Sequence, residues 1–405
     1  MNRMIIFDDG KGEFGPMCDL RAVFELRTGM LTTAGRIAAH RPKTLAGYWV
    51  PDSLKALVAH RANAPVNMLP EEEEIYCVSG RWTLPDADLE LDLGEAVIEE
   101  DSQHVIVARL RHADAERLLT SGELPDRIRT TSRAGESGGG VLYRYPWHVL
   151  DHLDAALRRD ISDTRLLDAK ILNEDLAVMG YEPVQVAQSA MLCPNIVFDA
   201  SRGPIMIHER AVIRPGVVLC GPCSIGPDST VIDNALIKPD TVIGPACKVG
   251  GEVGGTIFQG YSNKSHDGHL GDSWIGKWVN FGAGTTNSNL LNTYCEVSMR
   301  LDAGGKRHRT GRMYLGAIVG DHVKTAINTR IMTGTVIGTG AMIATSSPPP
   351  TLVESFAWMT DEAVRRYRFD KFVEVMKTVM ARREKEPGEA YVKRLEELHG
   401  QSGGS

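Results

Sequence analysis

Aliphatic residues return at every sixth position through the middle of the chain, at Ile207, Ile213, Leu219, Ile225, Val231, Ile237, Ile243 and Val249. Two positions before each sits a mostly small residue: Ile205, Ala211, Val217, Cys223, Ser229, Ala235, Thr241 and Cys247. Two positions after each sits a mostly turn-forming one: Glu209, Pro215, Gly221, Pro227, Asp233, Pro239, Pro245 and Gly251. A helix would repeat at three and four, and a β-sandwich at two with irregular turns. A period of six describes a short strand plus a corner, with the aliphatic inward and Pro or Gly at the bend. Three such hexads close one coil, and stacked coils share hydrogen bonds and a continuous core. The pattern predicts a parallel β-solenoid over about residues 207–343. It lapses over 250–270 and 287–317. It returns at Val319, Ile331, Ile337 and Ile343, with Thr325 in the intervening slot. Lapses of this kind predict loops that leave the prism, where function concentrates. The run Ser347-Pro348-Pro349-Pro350 is expected to end the solenoid. Residues 361–383 are expected to form an amphipathic helix with Val364, Tyr367, Phe372, Val375 and Met376 on its apolar side, and 401–405 a disordered tail.

The first part reads as mixed α/β. Strands are expected at 4–7, 74–78 and 104–108, and helices at 54–60, 113–119 and 146–157, the last with Val149, Leu150, Leu153 and Leu157 on one face. The glycine-rich stretch at 134–140 predicts a loop. Glu71, Glu72, Glu73 and Glu74 form a solvated run. The domain expectation is 1–190 for the α/β part, 191–350 for the solenoid, and 351–405 for a helical segment and tail.

With 405 residues, 42% hydrophobic and 24% charged, the chain has the composition of a globular protein. A net charge of −7 without a basic block argues against nucleic acid as a partner. The seven scattered cysteines point to a reducing compartment rather than a disulfide framework. No run of eighteen apolar residues predicts a membrane span, and no signal peptide is evident, so a cytoplasmic location is expected.

Polar chemistry gathers in the first lapse, at Asn263-Lys264-Ser265-His266-Asp267-Gly268-His269, followed by Asn280-Phe281-Gly282-Ala283-Gly284 and Asn287-Ser288-Asn289. Histidine is the side chain suited to take a proton near neutral pH. Ala283 and Gly284 would let a long thin acyl donor lie along the prism, and the asparagines could serve a sugar. Cys220 and Cys223 lack a second pair, and Cys223 falls in the small-residue column, which predicts a packed thiol.

These runs resemble the acetyltransferase site of the bifunctional GlmU-type enzymes that make UDP-N-acetylglucosamine. They are closer still to a bacterial branch described as sugar nucleotidyltransferases, which has an IIFDD-like opening, an ELR-T-G-M-type stretch and an NK-(S/A)-HDG run. The resemblance spans most of the chain and is specific over about 237–345. It implies an α/β nucleotidyltransferase-like domain, then a left-handed parallel β-helix and a C-terminal α-helix. It also implies a homotrimer with shared sites, and acetyl-CoA and a glucosamine-1-phosphate-like sugar phosphate as substrates. His266 matches the family's catalytic base, Asn280 matches a contact to the acceptor sugar, Asn289 matches another polar group in that pocket, and Ala283 lies where main chain contacts the acetyl group, with Gly284 next to it. Lys238 stands where the family has an arginine that grips the acceptor phosphate, although lysine offers a point charge and no fork. Asn263 and Lys264 are further acceptor-side candidates, and His269 stands in place of a tyrosine.

For the first domain the resemblance implies joining of the product to UTP with Mg²⁺. The glycine-rich phosphate loop of that family is not reproduced after the first strand, and Arg81 stands where a metal-binding aspartate is expected. Asp8, Asp9, Lys11 and Arg21 are the candidate nucleotide contacts, and the alternative is a strand-end turn with ordinary surface charges. A domain that binds a sugar nucleotide without catalysis fits as well as an active one. Two other classes remain for the prism. One is a zinc hydrolyase of carbonic-anhydrase type using His266, His269 and His322. The other is a non-catalytic trimeric scaffold.

Overall fold

The computed structural model describes residues 3–40, 45–85, 90–135, 140–169 and 176–401. The chain forms two compact units. One comprises residues 1–14, 20–152 and 388–394, and the other 15–19, 153–387 and 395–405.

The first unit is built on a six-stranded mixed sheet: β1 (Arg3–Phe7), β2 (Leu45–Trp49), β3 (Glu74–Ser79), β4 (Glu95–Glu99), β5 (Val105–Arg111) and β6 (Arg129–Arg133), in the order β2-β1-β3-β5-β4-β6. β1 runs parallel to β2 and β3, β5 runs antiparallel to β3 and β4, and β6 is parallel to β4. Ile5, Ile75, Cys77, Ala108 and Leu110 bury one side of this sheet against Ala115, Leu118 and Leu119 of the helix His112–Ser121. That helix stops at Gly122, whose φ of 73° is the left-handed conformation glycine adopts without cost. The expected strands and the helices at 54–60 and 113–119 are present. The stretch 146–157 is two helices, Pro146–Asp151 and Leu153–Ser162, because the backbone breaks at His152. Residues 136–139 of the expected loop lie outside the described residues.

The second unit is a parallel β-helix with three faces. The first face carries Val184–Val186, Ile205–Ile207, Cys223–Ile225, Thr241–Ile243, Ile257–Gly260, Trp274–Lys277, Ala317–Val319, Thr335–Ile337 and Leu352–Val353 in parallel register. The second runs from Met191–Leu192 to Asn263–Lys264, continues through single bridges from Asn263 to Asn280 and on to Lys324, and ends at Ala357–Thr360. The third runs from Ala177–Gly180 to His269–Gly271. The aliphatics of the six-residue pattern are all buried in one core, with the small column beside them. Cys223 is among them, as a packed thiol.

Corners are turned by residues in the left-handed region. Between the second and third faces these are Asn195, Gly216, Asn234, Gly251, Gly284 and Asn328, all with φ between 56° and 74°. Asn and Gly are the residues that adopt this conformation most readily, so the column reads as a physical requirement.

Three expectations are corrected here. The chain does not leave the prism over 250–270. Val253, Phe258, Lys264 and Leu270 keep the inward positions, and the pattern lapsed because two hexads there are shortened and a lysine takes one inward slot. The true excursion lies within 287–317 and carries an antiparallel pair, Ser298–Arg300 with Arg307–Arg309. The proline run does not end the solenoid, since Leu352–Val353 and Ala357–Thr360 add to two faces beyond it. The amphipathic helix starts only at Phe369 and runs to Ala381, Val364–Arg366 being a strand. Its Phe372 packs on Phe356 and His322, with ring centroids 5.1 and 5.7 Å apart, so it docks on the prism. A last helix reaches Gln401, and 402–405 lie outside the described residues. Among the described residues, no helix is long and apolar enough to cross a membrane.

Candidate functional site

His266 lies on the corner between the second and third faces, with its side chain exposed. The corner stacks on its neighbours in the adjoining coils. On one side are Gly250 and Gly251, and on the other Gly282, Ala283 and Gly284. Close backbone approach requires two of these glycines. A Cβ on Gly282 would lie 2.4 Å from the main chain of Ala326, and one on Gly251 would lie 3.0 Å from the His266 carbonyl. The result is a shelf nearly free of side chains beside the imidazole.

The expected site residues divide between the two faces flanking this corner. On the second face, Asn263 Nδ2 donates to Asn280 Oδ1 at 3.4 Å. Asn263 Oδ1 accepts from Arg383 Nη2 at 3.0 Å, and Arg383 Nη1 donates to the Ala246 carbonyl at 3.0 Å. Asn263, expected as an acceptor contact, is therefore held by the chain itself, whereas Asn280 is exposed. On the third face, Lys238 Nζ pairs with Glu252 Oε1 at 3.0 Å, and His269 Nδ1 lies 3.4 Å from the same oxygen. The Glu252 carboxyl is held below its usual range, first by the hydrogen bond from Lys238. Asn289 Nδ2 donates to Asp272 Oδ2 at 2.6 Å, and Arg312 lies 3.7 Å from Oδ1 of the same carboxylate. Lys238 is thus a neutralised cation on a face rich in polar groups.

Lys264 departs most from expectation. It occupies the inward column in register with Val249, is 2% exposed, and donates from Nζ to the carbonyls of His266 at 2.8 Å and Gly250 at 3.1 Å. It cannot touch a substrate on the surface of this coil.

His322, a candidate zinc ligand, is 3% exposed and stacks 6.4 Å from Trp278 under the docked helix, away from the corner of His266. His269 belongs to the Glu252 pair. Among the described residues, no group of three or more His, Cys, Asp or Glu side chains is arranged to hold a metal.

In the first unit, the ends of β1 and β3 meet at Asp8, Asp9 and Arg81. Asp8 accepts from the Val23 and Gly10 amides at 2.8 and 3.0 Å, and burial raises its carboxyl pKa despite those bonds. Asp9 accepts from Lys11 N at 3.2 Å and from Arg81 Nε and Nη2 at 2.9 and 2.6 Å. Arg81 also donates to the Tyr143 carbonyl and contacts His104 Nδ1 at 3.0 Å. Gly80 sets this up, because a Cβ there would lie 2.7 Å from Phe24. Lys11 is exposed, and Arg21 is buried at 3% exposure. A divalent cation does not fit these residues: both Asp9 oxygens face a guanidinium, and Asp8 serves backbone amides.

Sequence reasoning missed Glu252, Arg312 and Arg383. Glu252 lies outside the polar run but pairs in register with His269, so it was within reach of a coil-by-coil register. Arg383 is 120 residues from Asn263 and carried no local signal.

Residues 4–165 match the family model described as sugar nucleotidyl transferase. A bifunctional sugar-1-phosphate nucleotidylyltransferase/acetyltransferase of Sulfurisphaera tokodaii is 38% identical over 144 residues, 35% of this chain and 35% of that protein. A bifunctional protein GlmU of Methanococcus maripaludis is 35% identical over 270 residues, 61% of this chain and 65% of its own. The chain thus spans about a third of the first relative's length and just under two thirds of the second's. A solved hexapeptide transferase family protein from Anaplasma phagocytophilum is 14% identical, covering 54% of this chain and 96% of its own, with a TM-score of 0.27. The β-helix rests on the strand registers, not on that likeness. The relatives and the family model agree with the GlmU-type resemblance read from the residues.

Proposed function

We propose that this chain is an acetyl-CoA-dependent N-acetyltransferase of an amino-sugar 1-phosphate, working in the cytoplasm as a homotrimer. The observation that carries the reading is the exposed His266 on a corner flanked by bare glycine and alanine backbone, with polar faces on either side. In this reading the pantetheine arm lies along Gly282, Ala283 and Gly284. Asn280 and the Lys238–Glu252–Asn289 side receive the sugar phosphate. His266 takes a proton from the neutral acceptor amine as its nitrogen forms a bond to the thioester carbonyl carbon. The carbon–sulfur bond then breaks, and the coenzyme A thiolate leaves with the proton returned by the imidazole. The relatives' printed names, which pair nucleotidylyl transfer with acetyl transfer, support this class of chemistry.

The first unit is read as a sugar-nucleotide-binding domain. Its sheet and family match support nucleotide recognition, while the Asp9–Arg81 pair supports binding without a Mg²⁺-dependent transfer to UTP.

The test is free thiol release from acetyl-CoA with glucosamine-1-phosphate, with His266→Ala alongside. Release by the wild type and a loss of about a hundredfold or more in the variant are expected for a general base. Absence of release with any amino-sugar phosphate overturns the reading. Pyrophosphate release from UTP and Mg²⁺ would overturn the non-catalytic reading of the first unit.

A further inference from the structure

Every other inward position on the second face near Lys264 is uncharged. Val231 and Val249 precede it, Phe281 and Thr325 follow it, and all are buried. The coil geometry changes at this point. Val231 and Val249 are 18 residues apart, but Val249 and Lys264 are only 15 apart, because the Gly250-Gly251 corner, from Val249 to Val253, is two residues short and the next, from Val253 to Phe258, is one short. In the next coil the left-handed residue falls at Gly268, four positions after the inward residue, whereas it falls three after at Asn234 and Gly284. Two irregular corners therefore lie on top of one another, one short and one displaced, and the displaced one carries His266. One rung-to-rung amide bond joins them, Gly250 N to the Lys264 carbonyl at 2.7 Å, and it leaves the Gly250 and His266 carbonyls to another donor. The Lys264 ammonium spans them, with one proton to the Gly250 carbonyl and one to the His266 carbonyl.

We propose that Lys264 is a positioning residue for the candidate base: its buried ammonium clamps the shortened Gly250 corner to the His266 corner and so fixes the imidazole over the shelf. The proposal rests on the acetyltransferase reading above. A charge at this depth has an energetic cost, and burial lowers the Lys264 pKa to about 8, with Asp267 working to raise it. A valine or leucine, as in the neighbouring coils, would fill the same column without that cost. Retention of an amine there matches a requirement of the corner rather than of the core.

The test is Lys264→Met, which keeps the length and removes the donors. The melting temperature should shift little, because relief of the buried charge opposes the cost of the two carbonyls left without a donor. The kcat for thiol release should fall by about tenfold to a hundredfold, as expected for a slightly misplaced catalytic group, with KM for acetyl-CoA little changed. Amide hydrogen exchange of a peptide spanning 263–271 should quicken. Lys264→Leu serves as a second variant matched to the column. If the wild type and His266→Ala behave as the functional reading requires but Lys264→Met keeps its kcat, the positioning role is wrong. If the wild type releases no thiol, the exchange measurement still decides: unchanged protection of 263–271 removes the clamp, and quickened exchange supports it.

Discussion

Arg81 holds Asp9 in a two-pronged ion pair, Nε to Oδ1 at 2.9 Å and Nη2 to Oδ2 at 2.6 Å, with side-chain exposures of 0% and 10%. The pair closes the end of β1 onto the end of β3. Burial alone would raise the Asp9 pKa, but the hydrogen bonds and charge of Arg81 outweigh it and hold the carboxyl below its usual range. A depressed folded-state pKa means that this contribution to stability is complete above the unfolded pKa and is lost as pH falls through the folded one. Arg81→Met strands the Asp9 carboxylate, and urea melts at pH 7 should show a loss of about 3–5 kcal/mol. At pH 3 the loss should be smaller, because Asp9 is then protonated in the variant. Equal losses at both values would remove the ion pair as the cause.

Asp240 shows the opposite sign. It turns a corner with φ of 59°, and burial, with the charge of Asp154, raises its pKa to about 6. Between the unfolded value and about 6 the native state holds the extra proton, so stability falls as pH rises through this window and stays lower above it. Asp240→Asn suits the left-handed backbone and carries no charge. Thermal melts should show a gain on the order of 1 kcal/mol at pH 8, after discount for solvent screening, and none at pH 3. A gain of the same size at both values would point to something other than the charge.

The six-residue column made the prism legible because each of its positions answers one physical demand: an inward aliphatic, a small neighbour and a left-handed corner. The same logic failed at Lys264, where an amine took the aliphatic slot and the lapse in periodicity was read as a departure from the prism. His266 was legible as an exposed polar residue in that lapse, and its neighbours Ala283 and Gly284 follow from the next coil. Arg383 was not, since it reaches Asn263 only after a helix from the far end of the chain docks on the second face. At Asp9 the residue types were right for a polar site, but only the fold shows that Arg81 is their partner.

Gly284 separates the backbone demand of the corner from the demand of the shelf. Its φ is 72°, and a Cβ there would lie 2.2 Å from Asn328 Oδ1, the far end of a side chain that can swing away. Equivalent corners in other coils carry Asn195, Asn234 and Asn328, so asparagine is compatible with the fold at this position. Gly284→Ala should lower stability by about 1–2 kcal/mol through left-handed strain. Gly284→Asn should cost less than alanine, because its side chain suits that region. Both put atoms onto the shelf on its Asn328 side, the asparagine more of them. If the acyl donor lies there, Gly284→Asn should raise KM for acetyl-CoA by about tenfold or more, equivalent to about 1.4 kcal/mol of binding, while melting close to the wild type. Thermal melts paired with KM for both variants make the comparison. An asparagine variant with the wild-type KM would move the acyl donor off this corner, whatever its stability.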